Sequence, residues 1–231
     1  MYAVPRGSIG TQAEYVRVLL ADGTLMATRT QPTPPEQIPP ICWPLPTSSA
    51  PGGSPPSPPR PARGGRPSQS SETAVGLLAV LAAKHLGAQR ITAMSRHPDR
   101  QALARRFGAT DIVTERGDDG VAKIIELTEG LGAHSVIEPV GTQESMMQAI
   151  RSTRPGGHVG YVASPTKSNS PGMELFFSGV HLHGGPAPVR RFLPELIELI
   201  INGRIDPGEV FDLTLPLEQA AEATKRWMSA A

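Results

Sequence analysis

Cysteine is almost missing from the 231 residues: Cys42 stands alone. One thiol excludes a disulfide framework and a thiolate zinc cluster. Neither sign of charge is in excess, with 22 Lys plus Arg against 21 Asp plus Glu. The chain therefore lacks the basic surplus that phosphate-backbone binding needs, and nucleic acid is not an expected partner. Long apolar runs are absent too. The longest, Ala74 to Ala83, falls well short of the ~20 residues of a membrane-spanning helix. No signal peptide opens the chain, which predicts a cytoplasmic protein. What the sequence has in plenty is proline and glycine, 25 and 24 residues, proline far above its usual ~5 %.

Fourteen of the prolines fall between Gln31 and Thr73, with seven serines, four glycines and almost no aliphatic side chains. A segment of that kind buries too little apolar surface to offset chain entropy, which predicts a disordered or polyproline-like linker. From Ala74 the texture changes. Apolar residues recur in alternating helix-length and strand-length blocks, as expected of one domain of roughly 155 residues. Residues 1–30, with a strand-like Ala13 to Leu19 and an Asp22-Gly23 turn, are too few to fold alone.

The Ala/Leu-rich block Ala74 to Leu86 ends in Lys84, His85 and Gly87, the pattern of a helix and its stop. A strand at Arg90 to Met94 precedes a helix opened by Pro98 and closed by Gly108, and a further strand centres on Ile112 and Val113. Asp118 caps a helix through Leu127, Ser135 to Ile137 is a strand, and Thr142 caps a helix to Ser152. Gly157 to Val162 forms a strand after a Pro155-Gly156 turn. Beyond a loop at Pro165 to Gly172 come a strand at Val180 to His183, a helix around Phe192 to Ile201, a strand near Val210 to Thr214 and a helix from Leu217. Strand and helix alternate throughout. The expected fold is α/β, a doubly wound parallel sheet of Rossmann-like type, with its ligand crevice at the carboxyl ends of the strands.

Five segments then stand out in order: Gly10-Thr11-Gln12-Ala13-Glu14-Tyr15-Val16-Arg17-Val18; Ala74-Val75-Gly76-Leu77-Leu78; Phe107-Gly108-Ala109-Thr110-Asp111; Gly132-Ala133-His134-Ser135-Val136-Ile137-Glu138; and Arg154-Pro155-Gly156-Gly157. Together they resemble the zinc-dependent alcohol dehydrogenases, the medium-chain dehydrogenase/reductase family. The resemblance implies the nucleotide-binding half of an oxidoreductase that moves hydride between a nicotinamide dinucleotide and a small alcohol or carbonyl, with homo-oligomers formed by pairing such domains edge to edge. It also implies a catalytic zinc held by an N-terminal domain of which residues 1–30 are a remnant, the zinc ligands lying upstream of Met1. Within the chain, Cys42 has no histidine near it in sequence, and His181 and His183 lack a third ligand. No zinc is expected to be held here.

A dinucleotide fold needs a first strand and a Gly-x-Gly-x-x-Gly turn, so that backbone N–H groups meet the pyrophosphate. Only Gly76 of that motif is present, after Ser70-Ser71-Glu72-Thr73, and the first strand and glycine turn are expected to be lost. A reading-frame change accounts for this. Regrouped by one base, codons for Ser68 to Ala74 can spell Ala-Val-Val-Gly-Asp-Gly. At the same offset Pro46 to Gly53 can spell Asp-Val-Leu-Gly-Thr-Gly-Trp, which the family carries just before this domain. The other reading is a true linker on a non-catalytic nucleotide-binding or interaction module. In that case Pro55-Pro56-Ser57-Pro58-Pro59-Arg60 is suited to a PxxP reader.

Site residues follow from strand ends. After Ile91-Thr92-Ala93-Met94 comes Ser95-Arg96-His97, without the acid that accepts from an NAD ribose. A hydroxyl and a guanidinium suit a 2'-phosphate, with Arg100 as a second cation, so NADP is expected over NAD. Ala74, Val75 and Gly76 are expected at the pyrophosphate. Val140, Gly141, Thr142, Val162 and Ala163 are placed by the resemblance near the ribose and nicotinamide. Gly184 and Gly185 are read as allowing close backbone approach. Glu115, Asp118 and Asp119 are read as helix N-terminal charges, and no catalytic residue is expected.

Overall fold

The computed structural model describes residues 67–70, 73–162, 172–184, 189–213, 215–219, 221–222 and 225. The chain divides into two compact units, residues 33–210 and residues 1–32 with 211–231. Within the first, the elements run β1 (Pro67–Ser70), α1 (Ala74–His85), β2 (Thr92–Met94), α2 (Pro98–Arg106), β3 (Asp111–Val113), α3 (Gly117–Leu127), β4 (Ala133–Glu138), α4 (Gln143–Ser152), β5 (Thr153–Tyr161), α5 (Gly172–Ser178), β6 (His181–Gly184) and α6 (Val189–Ile201). The strands pair in parallel in the order β3-β2-β1-β4-β5-β6. Direction of winding reverses between β1 and β4, which is the doubly wound parallel sheet expected from the alternation.

The first strand is not lost. Pro67-Ser68-Gln69-Ser70 occupies its place, with Ser68 opposite both Thr92 and Val136. Ladder pairing needs backbone N–H and C=O groups rather than particular side chains. The one residue without a donor, Pro67, is the first of the strand, where proline is tolerated.

Alternate side chains of β2 serve two cores. Ala93 joins Leu77, Leu78 and Val80 of α1 and Leu103, Ala104 and Phe107 of α2 in one cluster. Met94 joins Val113, Ile124, Val136, Met146, Ala149, Ile150 and Val159 in the other. Two layers of helices thus cover the two faces. Their ends are well formed. Thr73 caps α1 by accepting from the Gly76 N–H at 3.0 Å, and Thr142 and Ser145 form a capping box on α4. Asp118 does not cap α3, whose N-cap is Arg116; the acid lies in the first turn, where its negative charge is favoured by the positive end of the helix dipole.

Other boundaries differ from expectation. The Pro155-Gly156 turn is a bulge inside β5: Ala133 pairs with Thr153 and Ser135 with His158, so the intervening residues are accommodated by Gly156 at φ +68°. Pro139 lies just past β4 and breaks no ladder bond. Helix α5 starts at Gly172, the last residue of the expected loop, and occupies residues for which no helix was expected. Near Val210 there is a 3-10 turn, Pro207–Val210, in place of a strand; Val210 is buried against the α1 cluster, an anchor that one apolar side chain supplies without a ladder. From Leu217 the described helix is one 3-10 turn, Leu217–Gln219, followed by helical residues 221–222 and 225. Ala13 to Leu19, Thr214 and Gly185 lie outside the described residues. Gly184 serves packing: a Cβ there would sit 2.3 Å from the Tyr161 ring.

Arg90 fixes the amino ends of β2 and β3. Its Nε and Nη2 donate to the two Asp111 oxygens at 2.8 and 3.1 Å, and Nη1 donates to the Leu127 carbonyl at 2.9 Å. The Arg90 hydrogen bonds hold the Asp111 carboxyl below its ordinary pKa. A carboxylate with a depressed folded pKa stabilises fully above the unfolded value, about 3.9, and this contribution fades as pH falls through the folded value. The variant Asp111→Asn should lose about 1 kcal/mol at neutral pH and show a shallower loss of stability below pH ~4 in urea titrations at stepped pH. An acid limb identical to the parent's would remove Asp111 from the account.

Candidate nucleotide site

A cleft of about 350 Å³ opens where β2 and β4 end, and its walls include Arg96, Arg116, Glu138, Val140, Thr142, Ser145 and Gln148. Arg96 follows β2 and Arg116 follows β3, each two or three residues past the last strand position. Gln148 ties the two sides together. Its Oε1 accepts from the Gly117 N–H at 2.9 Å, and its Nε2 lies 3.0 Å from Met94 Sδ.

Glu138, only 2 % exposed, builds the floor. Its Oε1 accepts from the N–H groups of Val140 and Gly141 at 2.8 and 3.0 Å, and Oε2 from Gly141 at 3.1 Å. A buried carboxylate demands such donors. They fold the chain back sharply, with Gly141 at φ +81°, and set Val140 and Thr142 at the rim. Val140 keeps 39 % exposure, an apolar surface open to a ligand.

Of the residues expected at the site, Arg96, Val140 and Thr142 come together here, with Gly141 between the latter two. Ser95 is buried at the end of β2, where its hydroxyl accepts from the His97 N–H at 3.2 Å and so shapes the turn that presents Arg96. Arg100 does not line the cleft; its Nη1 donates to the Val210 carbonyl at 3.4 Å. The second guanidinium is Arg116, which sequence reading passed over although it follows β3 as Arg96 follows β2. Ala74, Val75 and Gly76 form the first turn of α1 and lie outside the cleft lining, as does half-buried Val162, whose N–H donates to the Glu138 carbonyl at 2.9 Å. Ala163 and the Pro55 to Arg60 segment are outside the described residues.

Residues 74–202 match the family model described as zinc-binding dehydrogenase. The chain belongs to that family. Among its relatives, a Mycobacterium tuberculosis protein named "Probable zinc-binding alcohol dehydrogenase" is 38% identical over 151 residues, covering 64% of this chain and 38% of the relative. The NADP-dependent isopropanol dehydrogenase of Entamoeba histolytica is 32% identical over 142 residues, covering 59% and 39%. Among solved structures, the alcohol dehydrogenase TADH of Thermus sp. ATN1 superposes with a TM-score of 0.66 at 27% identity, covering 72% of this chain and 49% of that one. This family member thus spans about two fifths of the length of those curated relatives.

The family's two implied groups fare differently. Among the described residues, no three His, Cys, Asp or Glu side chains are placed to hold a metal ion together, so they do not fit a catalytic zinc. A dinucleotide fits at one end. The cleft has the volume of a small ligand pocket, at the low end of the usual ~300–1,000 Å³, and two guanidinium groups among its walls. At the pyrophosphate end, the Gly76 N–H that a phosphate would take is engaged by the Thr73 hydroxyl. No helix among the described residues is long and apolar enough to cross a membrane.

Proposed function

We propose that this chain is the nucleotide-binding part of a cytoplasmic oxidoreductase that transfers hydride between NADP(H) and a small alcohol or carbonyl, and that it turns over no alcohol alone. The observation that carries the reading is Arg96, which follows β2 without an acid beside it and lines the same cleft as Val140 and Thr142. A guanidinium there donates to a 2'-phosphate, where a carboxylate would repel one. Val140 offers its exposed apolar side chain to the nucleotide, and Arg116 adds positive potential from the end of β3. When bound, the nicotinamide supplies the hydride chemistry; Arg96, Arg116 and Val140 position the nucleotide.

Domain boundaries at 1–30, 31–73 and 74–231, and a reading-frame origin for 31–73, belong to the same proposal, with 67–70 counted in the sheet. Coding DNA whose shifted frame cannot spell glycines across Ser68 to Thr73 would defeat the frame argument. The cofactor preference is tested by thermal denaturation. NADP+ is expected to raise the melting temperature more than NAD+ at equal concentration, because stabilisation grows with the logarithm of ligand concentration over its dissociation constant. Stronger protection by NAD+, or alcohol oxidation by the chain alone, would overturn the proposal.

A further inference from the structure

Four of the six histidines collect on three adjacent strands: His134 in β4, His158 in β5, and His181 and His183 in β6. Parallel register sets His158 opposite His181, and Gly160 opposite His183. Residues 158, 181 and 183 therefore share one face of the sheet, and the core residue Val159 takes the other. Because His183 is paired with a glycine, it leans along the face, and its Nε2 comes within 3.1 Å of His158 Nδ1. His181 stacks on the His158 ring with centroids 5.0 Å apart, and the His134 ring lies 6.2 Å away. None of the four lines the cleft.

Two imidazole nitrogens bound tetrahedrally to one zinc ion at ~2.1 Å stand about 3.4 Å apart. The 3.1 Å gap between His158 and His183 is close to that bite. From this geometry we propose that His158 and His183 chelate a divalent transition metal ion of the zinc, nickel and copper class, with solvent completing the coordination. Imidazole nitrogen is the ligand such ions favour. The site is a two-nitrogen chelate, distinct in its ligand count from a three-ligand catalytic zinc. Its effect is mechanical: the ion clamps edge strand β6 to β5.

The test uses tag-free full chain in a Cys42→Ser background, titrated calorimetrically with ZnCl2 and NiCl2. One site is expected, weakened about tenfold or more by His183→Ala or His158→Gln and unchanged by His85→Ala with His97→Ala, the two histidines outside the cluster. Zinc should raise the melting temperature of the parent and leave that of His183→Ala unmoved, and Cu2+ should show nitrogen couplings from two imidazoles in its spin-resonance spectrum. Circular dichroism of His183→Ala, altered at an edge strand, checks that folding is intact. Affinity unchanged in both cluster variants, a loss that follows His85 and His97, or an absence of binding in the parent would each overturn the proposal.

Discussion

Replacing Arg96 by alanine is expected to weaken NADP+ binding about ten- to a hundredfold while leaving NAD+ binding within about twofold. The magnitude follows from one charge-assisted hydrogen bond, about 1.5–3 kcal/mol. Selectivity arises because only one dinucleotide carries the 2'-phosphate. Arg116→Ala should cost both ligands alike, because that residue reaches the cleft from the end of β3 and acts through potential over the whole nucleotide. Calorimetric titration of both ligands into both variants separates these cases. Equal losses of NADP+ and NAD+ in Arg96→Ala would mean that the guanidinium packs against the base, and the assignment of the phosphate to it would fall.

The second large effect concerns stability. Leu77 is fully buried in α1, inside the cluster that joins α1, β2 and α2. Leu77→Ala should destabilise by about 2–5 kcal/mol, combining lost transfer energy with a cavity. Leu86, the C-cap of the same helix, is 51 % exposed, and Leu86→Ala should stay within about 0.5 kcal/mol of the parent. Urea midpoints at constant slope give both values. A small cost at Leu77 would mean that the α1 layer is not packed on the sheet as described.

Much of this architecture was legible in local sequence signals because those signals and the tertiary packing agree. Thr142 was read as a cap and is one. The alternation of Ile91, Ile112, Val136 and Val159 with helix-length blocks named the parallel sheet, and the place of Arg96 in the cleft lining follows from its position just past a strand. Strand β1 could not be read, since proline, serine and glutamine have little strand preference; its place comes from the backbones of β2 and β4 on either side. Arg116 was hidden by Glu115 and Asp118, which look like ordinary helix-start charges. The Glu138 carboxylate holding the Val140–Gly141 turn has no sequence signature beyond an acid before Pro139. His158 and His183 are 25 residues apart in the chain, and only the β5 to β6 crossover makes them neighbours.

The cap on α1 carries one more consequence. The Thr73 hydroxyl competes intramolecularly with any incoming anion, because both want the same Gly76 amide. Seating a phosphate on that turn first requires the cap to let go, at a cost of about 1 kcal/mol. Helix fraying and ligand uptake are thereby coupled in opposite senses: whatever tightens the free domain at this point makes it a poorer receptor.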